Sequence, residues 1–132
     1  MSFVLHIFDE PSIKTVQEAG NYIFGQKGER AEPNEKFSQF VQDITATYPD
    51  LTDDDEDGDN DENVWLDGLN GGITNSHVYV IGLKTDIVDS YLLSFIANAA
   101  AKNGLQILDG QNGMFYRDDR TIVHQNGFVE PL

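Results

Sequence analysis

From Phe37 through Leu83 the chain carries no Lys or Arg, yet it holds 11 Asp and Glu residues. Ten of these acids lie between Asp50 and Asp67, eight of them within Asp53-Asp54-Asp55-Glu56-Asp57-Gly58-Asp59-Asn60-Asp61-Glu62-Asn63. A run of this kind repels itself and offers no apolar side chain to bury, so it must be an exposed loop. Any core has to be built by the segments on either side of it. The 132-residue chain has a net charge of -15, but outside the base-free segment 12 acids face 8 bases, a nearly ordinary balance. With 39% apolar residues that remainder can support a core, and the length fits one domain rather than two. The organisation expected is a single domain over residues 1–125 with an acidic loop at 50–63, followed by a tail at 126–132.

The flanking segments have clear periodicities. Phe3 to Phe8 is a short apolar run interrupted by His6 and bounded by Asp9-Glu10-Pro11, which predicts an inner strand. Ser12 to Gln26 places Ile13, Val16, Ala19, Tyr22 and Ile23 on one helical face, with Gly25 and Gly28 as stops. Phe37, Phe40, Val41, Ile44 and Tyr48 recur at helical spacing behind a cap at Asn34, and Pro49 ends that helix. Val64-Trp65-Leu66 reads as a short strand and His77 to Leu83 as a better one, rich in β-branched and aromatic residues. A third helix, capped at Thr85 or Asp86, carries a broad apolar face from Ile87 to Ala100 and closes at Asn103-Gly104. Leu105 to Asp109 and Met114 to Arg117 then form a hairpin through Gly110-Gln111-Asn112-Gly113, and Thr121 to Gln125 adds a weak last strand. The fold class is α+β: an antiparallel or mixed sheet with helices packed on one face, in the order β-α-α-(β)-β-α-β-β.

Several classes of function are disfavoured by what these residues lack. Without Cys there is no disulfide, thiolate zinc site or cysteine nucleophile. The first residues have no basic stretch of the kind that opens a signal peptide, and no apolar run approaches the roughly 18 residues needed to cross a bilayer. A cytoplasmic protein with no membrane contact is expected, and direct nucleic-acid binding is disfavoured because phosphates would be repelled. His6, His77 and His124 are far apart in sequence, no G-x-S-x-G, G-x-G-x-x-G or Walker pattern occurs, and Asp118-Asp119 are neighbours that rarely face one substrate. No catalytic residue is assigned, and the chain is not expected to be an enzyme.

Two readings of the acidic run remain open. Asp53-x-Asp55-x-Asp57-Gly58 matches the first half of an EF-hand loop, in which alternate acids give oxygens to a hard cation and the glycine permits the turn. Asp61 falls at the ninth position, but the twelfth, where a bidentate Glu belongs, is Val64, and Pro49 has already broken the preceding helix. Calcium held by Asp53, Asp55 and Asp57 is therefore the alternative; otherwise no cofactor is expected. The leading reading is recognition: Asp53, Asp54, Asp55, Glu56, Asp57, Asp59, Asp61 and Glu62 would steer a basic partner, with Trp65 either an aromatic anchor for it or part of the core.

A wider pattern joins these features. Lys36-Phe37-x-x-Phe40-Val41-x-Asp43-Ile44 runs into Tyr48-Pro49-Asp50-Leu51; an acidic stretch precedes Trp65; and Ala99-x-x-x-Asn103-Gly104-Leu105-x-Ile107-Leu108-Asp109-x-Gln111 follows. From Lys36 to Tyr116 the chain resembles the immunity proteins encoded beside polymorphic and contact-dependent growth-inhibition toxins. The resemblance implies an antitoxin-like binding function: a cytoplasmic protein that neutralises the C-terminal domain of a cognate toxin, commonly a nuclease, by one-to-one association. The basic phosphate-binding cleft of a nuclease would suit an acidic partner.

Overall fold

The computed structural model describes residues 2–26, 30–49, 64–66, 68–84 and 88–132. The elements are β1 (Ser2–Phe8), α1 (Val16–Phe24), α2 (Glu35–Thr45), β2 (Val78–Lys84), α3 (Ser90–Lys102), β3 (Gln106–Asp109), β4 (Met114–Tyr116), β5 (Thr121–His124) and β6 (Val129–Pro131). The strands form one antiparallel sheet in the order β2-β1-β3-β4-β5-β6. The protein is thus an α+β fold, as its periodicities predict.

Each helix begins where a side chain can accept an otherwise unpaired backbone N–H. Thr15 accepts from Glu18 N–H at the start of α1 and donates its hydroxyl to the Glu18 carboxylate. Asn34 caps α2 as the sequence predicts. The cap of α3 is Asp89, which accepts from Leu92 N–H, rather than Thr85 or Asp86, which lie outside the described residues. The same helix closes with a pair of bonds, Leu105 N–H to Ala100 and Gly104 N–H to Ala101, and Gly104 takes the left-handed φ of +71° that this ending requires.

The sheet is covered on both faces, and the pleat determines what covers each. Leu5, Ile7, Tyr79, Ile81, Leu83, Ile107, Tyr116 and Ile122 face α2 and α3, whose Phe37, Phe40, Val41, Ile44, Leu92 and Ile96 complete the larger core. Phe8, Val78, Leu108, Phe115 and Val123 point the other way and meet Ala19, with Val16, Tyr22 and Ile23 of α1 packed against them. The expected arrangement, with all helices on one face, is corrected in this respect. β1 alternates its apolar side chains into two cores, so one layer of helices could not bury them all.

Two other expectations change. Ile13 precedes α1 instead of lying on it, although it is buried in the same cluster as Ala19. The expected tail contains β6, which pairs with β5 from Thr121–Pro131 to Val123–Val129 and returns through a turn at Gly127. Pro131 fits there because β6 is an edge strand, where a missing N–H on the outer side breaks no ladder bond.

Candidate partner-binding surface

The acids assigned to partner binding, Asp53, Asp54, Asp55, Glu56, Asp57, Asp59, Asp61 and Glu62, lie outside the described residues, as do Asp53, Asp55 and Asp57 in the calcium reading. What the fold does fix is the pair of points between which that stretch of chain runs. On one side α2 ends at Thr45 and the chain turns through Tyr48 and Pro49. On the other, Val64-Trp65-Leu66 lies antiparallel along the outer edge of β2, with Leu66 N–H bonded to Gly82 and Lys84 N–H bonded to Val64. Trp65 joins the two sides: its indole N–H donates to the Tyr48 carbonyl over 2.9 Å. The Tyr48 ring is itself held edge-on against Phe95 of α3.

This placement decides between the two readings of Trp65. The residue is fully buried in the larger core. Its ring is therefore unavailable as a surface anchor, and the only Trp of the chain instead braces the ends of the acidic stretch against α2 and β2. A buried indole needs a partner for its N–H, which the carbonyl in the turn after α2 provides.

A second constraint holds the same region. The turn at Asn70–Gly72 presses against α2 so closely that a Cβ on Gly72 would lie 2.5 Å from the Phe37 carbonyl oxygen, and its φ is +82°. Glycine is required there for both contact and conformation. The Tyr79 hydroxyl donates to the Leu69 carbonyl and ties this turn to β2. Asn103 Nδ2 donates to Asp43, and Lys102 reaches the same carboxylate at 3.9 Å, linking the exposed sides of α2 and α3.

The histidines are not brought together. His6 sits mid-strand on β1, half-buried, and burial pushes its pKa down; its Nδ1 is buried with no hydrogen-bond partner. His77 is exposed just before β2, and His124 ends β5 with its Nε2 2.9 Å from Glu130 of β6. Asp119 accepts from Arg117 and Thr121 in the β4–β5 turn, a structural use of a carboxylate. A polar cleft of about 440 Å³ opens near the start of α2, lined by Asp9, Tyr22, Arg30, Asn34, Ser76 and His77 among others. Of its two carboxylates, Glu32 and Asp9, the latter is already engaged, since Asp9 accepts from Asn34 Nδ2 and from Lys36 Nζ, each over 3.1 Å. No group of three or more His, Asp or Glu residues that could hold a metal ion occurs among the described residues.

The sequence does not reveal a groove at the β6 end of the sheet, on the face that α2 and α3 cover, between α3 and β4–β6, of about 250 Å³. Its residues come from positions 90 to 132 and converge only through the antiparallel register, so no local spacing marks them. Among the described residues no helix is long and apolar enough to cross a membrane. No protein-family model, curated protein or solved structure matches the chain.

Proposed function

We infer that this protein is an immunity-type inhibitor of the cytoplasm: it binds a basic bacterial toxin domain, of which a nuclease is the leading example, and blocks it without catalysis. The observation that carries the reading is charge segregation. A chain that keeps Lys and Arg out of Phe37 to Leu83 while placing 11 acids there concentrates a negative potential that a folded core does not need. Such a field speeds encounter with a positive cleft and disfavours phosphate-bearing competitors. The likeness of the Lys36–Tyr116 pattern to immunity proteins supports the same conclusion.

The test is protection. The chain is co-expressed with a basic C-terminal toxin domain, and cell survival is scored together with one-to-one co-purification. Survival with the native chain, and its loss when Asp53, Asp54, Asp55, Glu56, Asp57, Asp59, Asp61 and Glu62 are changed to Asn or Gln, is expected. Equal protection by both chains would remove the acidic stretch from the mechanism. Saturable calcium binding abolished by Asp53→Asn and Asp55→Asn, with no toxin bound, would favour the calcium module instead.

A further inference from the structure

Pairing across β3–β6 places Ile107, Tyr116, Ile122 and Glu130 in one row on the face that α2 and α3 share. Contacts of α3 with the sheet centre on β3, and the outer end of that row is left as the groove beside α3. The floor and walls are largely apolar, with Leu93 of α3 facing Met114, Ile122 and Leu132. Ser90 and Ser94 of α3 stand among them, together with Tyr116 and Glu130 from the sheet. Tyr116 is 5% exposed and lines the groove, and its hydroxyl has no hydrogen-bond partner among the described residues. Glu130 lines the rim, with one carboxylate oxygen 2.9 Å from His124 Nε2. Among the described residues no Lys or Arg lines the groove.

We propose that this groove is a second contact point for the basic partner, a slot for one of its Arg or Lys side chains. The inference rests on the reading above that the partner is a basic protein. Long cationic side chains lay their methylenes along apolar surface and keep the charged head at a polar rim, and here the surface and the rim adjoin. Leu93, Met114, Ile122 and Leu132 would take the stem. Glu130 would take the cation and the Tyr116 oxygen would accept a hydrogen bond from it. The volume falls below the roughly 300 Å³ at which drug-sized ligand pockets begin, which suits a single side chain. The positive end of α3 borders the groove, but the Asp89 carboxylate at its cap opposes that charge. Burial, with Asp109 and Glu130 nearby, pushes the Tyr116 pKa up to about 12; burial disfavours any charge there, and only the two carboxylates would favour a neighbouring cation.

The probe is n-butylguanidinium, an arginine side chain without backbone, titrated into the intact protein with the methyl resonances of Leu93, Met114, Ile122 and Leu132 followed by NMR. Saturable shifts confined to these methyls are expected, with n-butanol giving a markedly weaker response. Glu130→Gln, which keeps the shape and a hydrogen bond to His124, should weaken binding about fivefold, within the range of a partly exposed ion pair. Tyr116→Phe should weaken it by a smaller factor, and an unchanged amide spectrum shows that each variant is folded. Linear shifts, or a Glu130→Gln affinity within twofold of the native value, would overturn the proposal. Decalysine serves as a second probe to separate the two ideas. If it binds through Asp53 to Glu62 while the groove fails to saturate, the groove proposal alone is lost. Should the groove saturate while decalysine does not bind, the slot stands and steering by the acidic stretch fails.

Discussion

At one edge of the sheet, β2 is covered along its outer side by residues 64–66, which bond to its backbone and sink the Trp65 ring into the core. At the other edge, β6 is three residues long, contains Pro131 and leaves Phe128 and Val129 exposed. Both arrangements address the same problem, since an open row of backbone donors and acceptors invites pairing with another chain. The first covers the row, and the second shortens it and removes a donor. They differ in what they leave for function. The covered edge is rigidly packed and fixes the end of a highly charged stretch, whereas the short edge leaves an apolar groove with an acidic rim beside it. Stability is therefore expected to depend on the first region and recognition to draw on both.

Trp65→Ala should produce the largest effect, a loss of about 3–5 kcal/mol in urea unfolding, because it opens a cavity at the covered edge. Val129→Ala at the open edge should change stability by less than about 0.5 kcal/mol. Comparable losses at the two positions would dissolve the distinction. Gly72→Ala should come next, at about 1–3 kcal/mol by thermal denaturation, since a Cβ would strike the Phe37 carbonyl at a positive φ. Trp65→Phe keeps most of the ring packing and removes the donor to Tyr48, so a loss near 1 kcal/mol is expected, together with faster amide exchange at Leu66 and Lys84.

Two titrations probe the interior between the edges. The Tyr116 pKa is raised to about 12 against an ordinary value near 10, so its contribution to stability is complete below pH 10 and is lost as pH rises through about 12. A Tyr116→Phe variant should show a flatter stability profile in that window. His6 shifts the opposite way: burial lowers its pKa, so the folded state favours neutral imidazole, and stability falls as the medium is acidified below about pH 6.5. His6→Phe should remove part of that acid limb, measured as urea midpoints from pH 7 to pH 5.

How far the sequence led can be seen in particular residues. Phe37, Phe40, Val41 and Ile44 recur at helical spacing, and all four are buried along α2 because that helix has one partner surface. The nearly continuous apolar run of β1 carried information about both faces, and its two-sided burial explains why α1 packs opposite α2 and α3. β6 was hidden because Val129-Glu130-Pro131 is too short for a period and becomes a strand only by pairing with β5. Trp65 could be core or anchor by sequence alone, since only the course of β2 decides which side of it faces inward. The charge pattern was plain in the sequence, but the groove was not, because Leu93, Tyr116 and Glu130 are neighbours only in the folded register.

The central claim, that the acidic stretch steers a basic partner, is tested most directly by stopped-flow association of the chain with the toxin domain at several salt concentrations. The account predicts a native association rate that falls steeply as salt rises, and a chain neutralised from Asp53 to Glu62 that associates more slowly at low salt with a shallower slope. Equal rates and equal slopes for the two chains would contradict it.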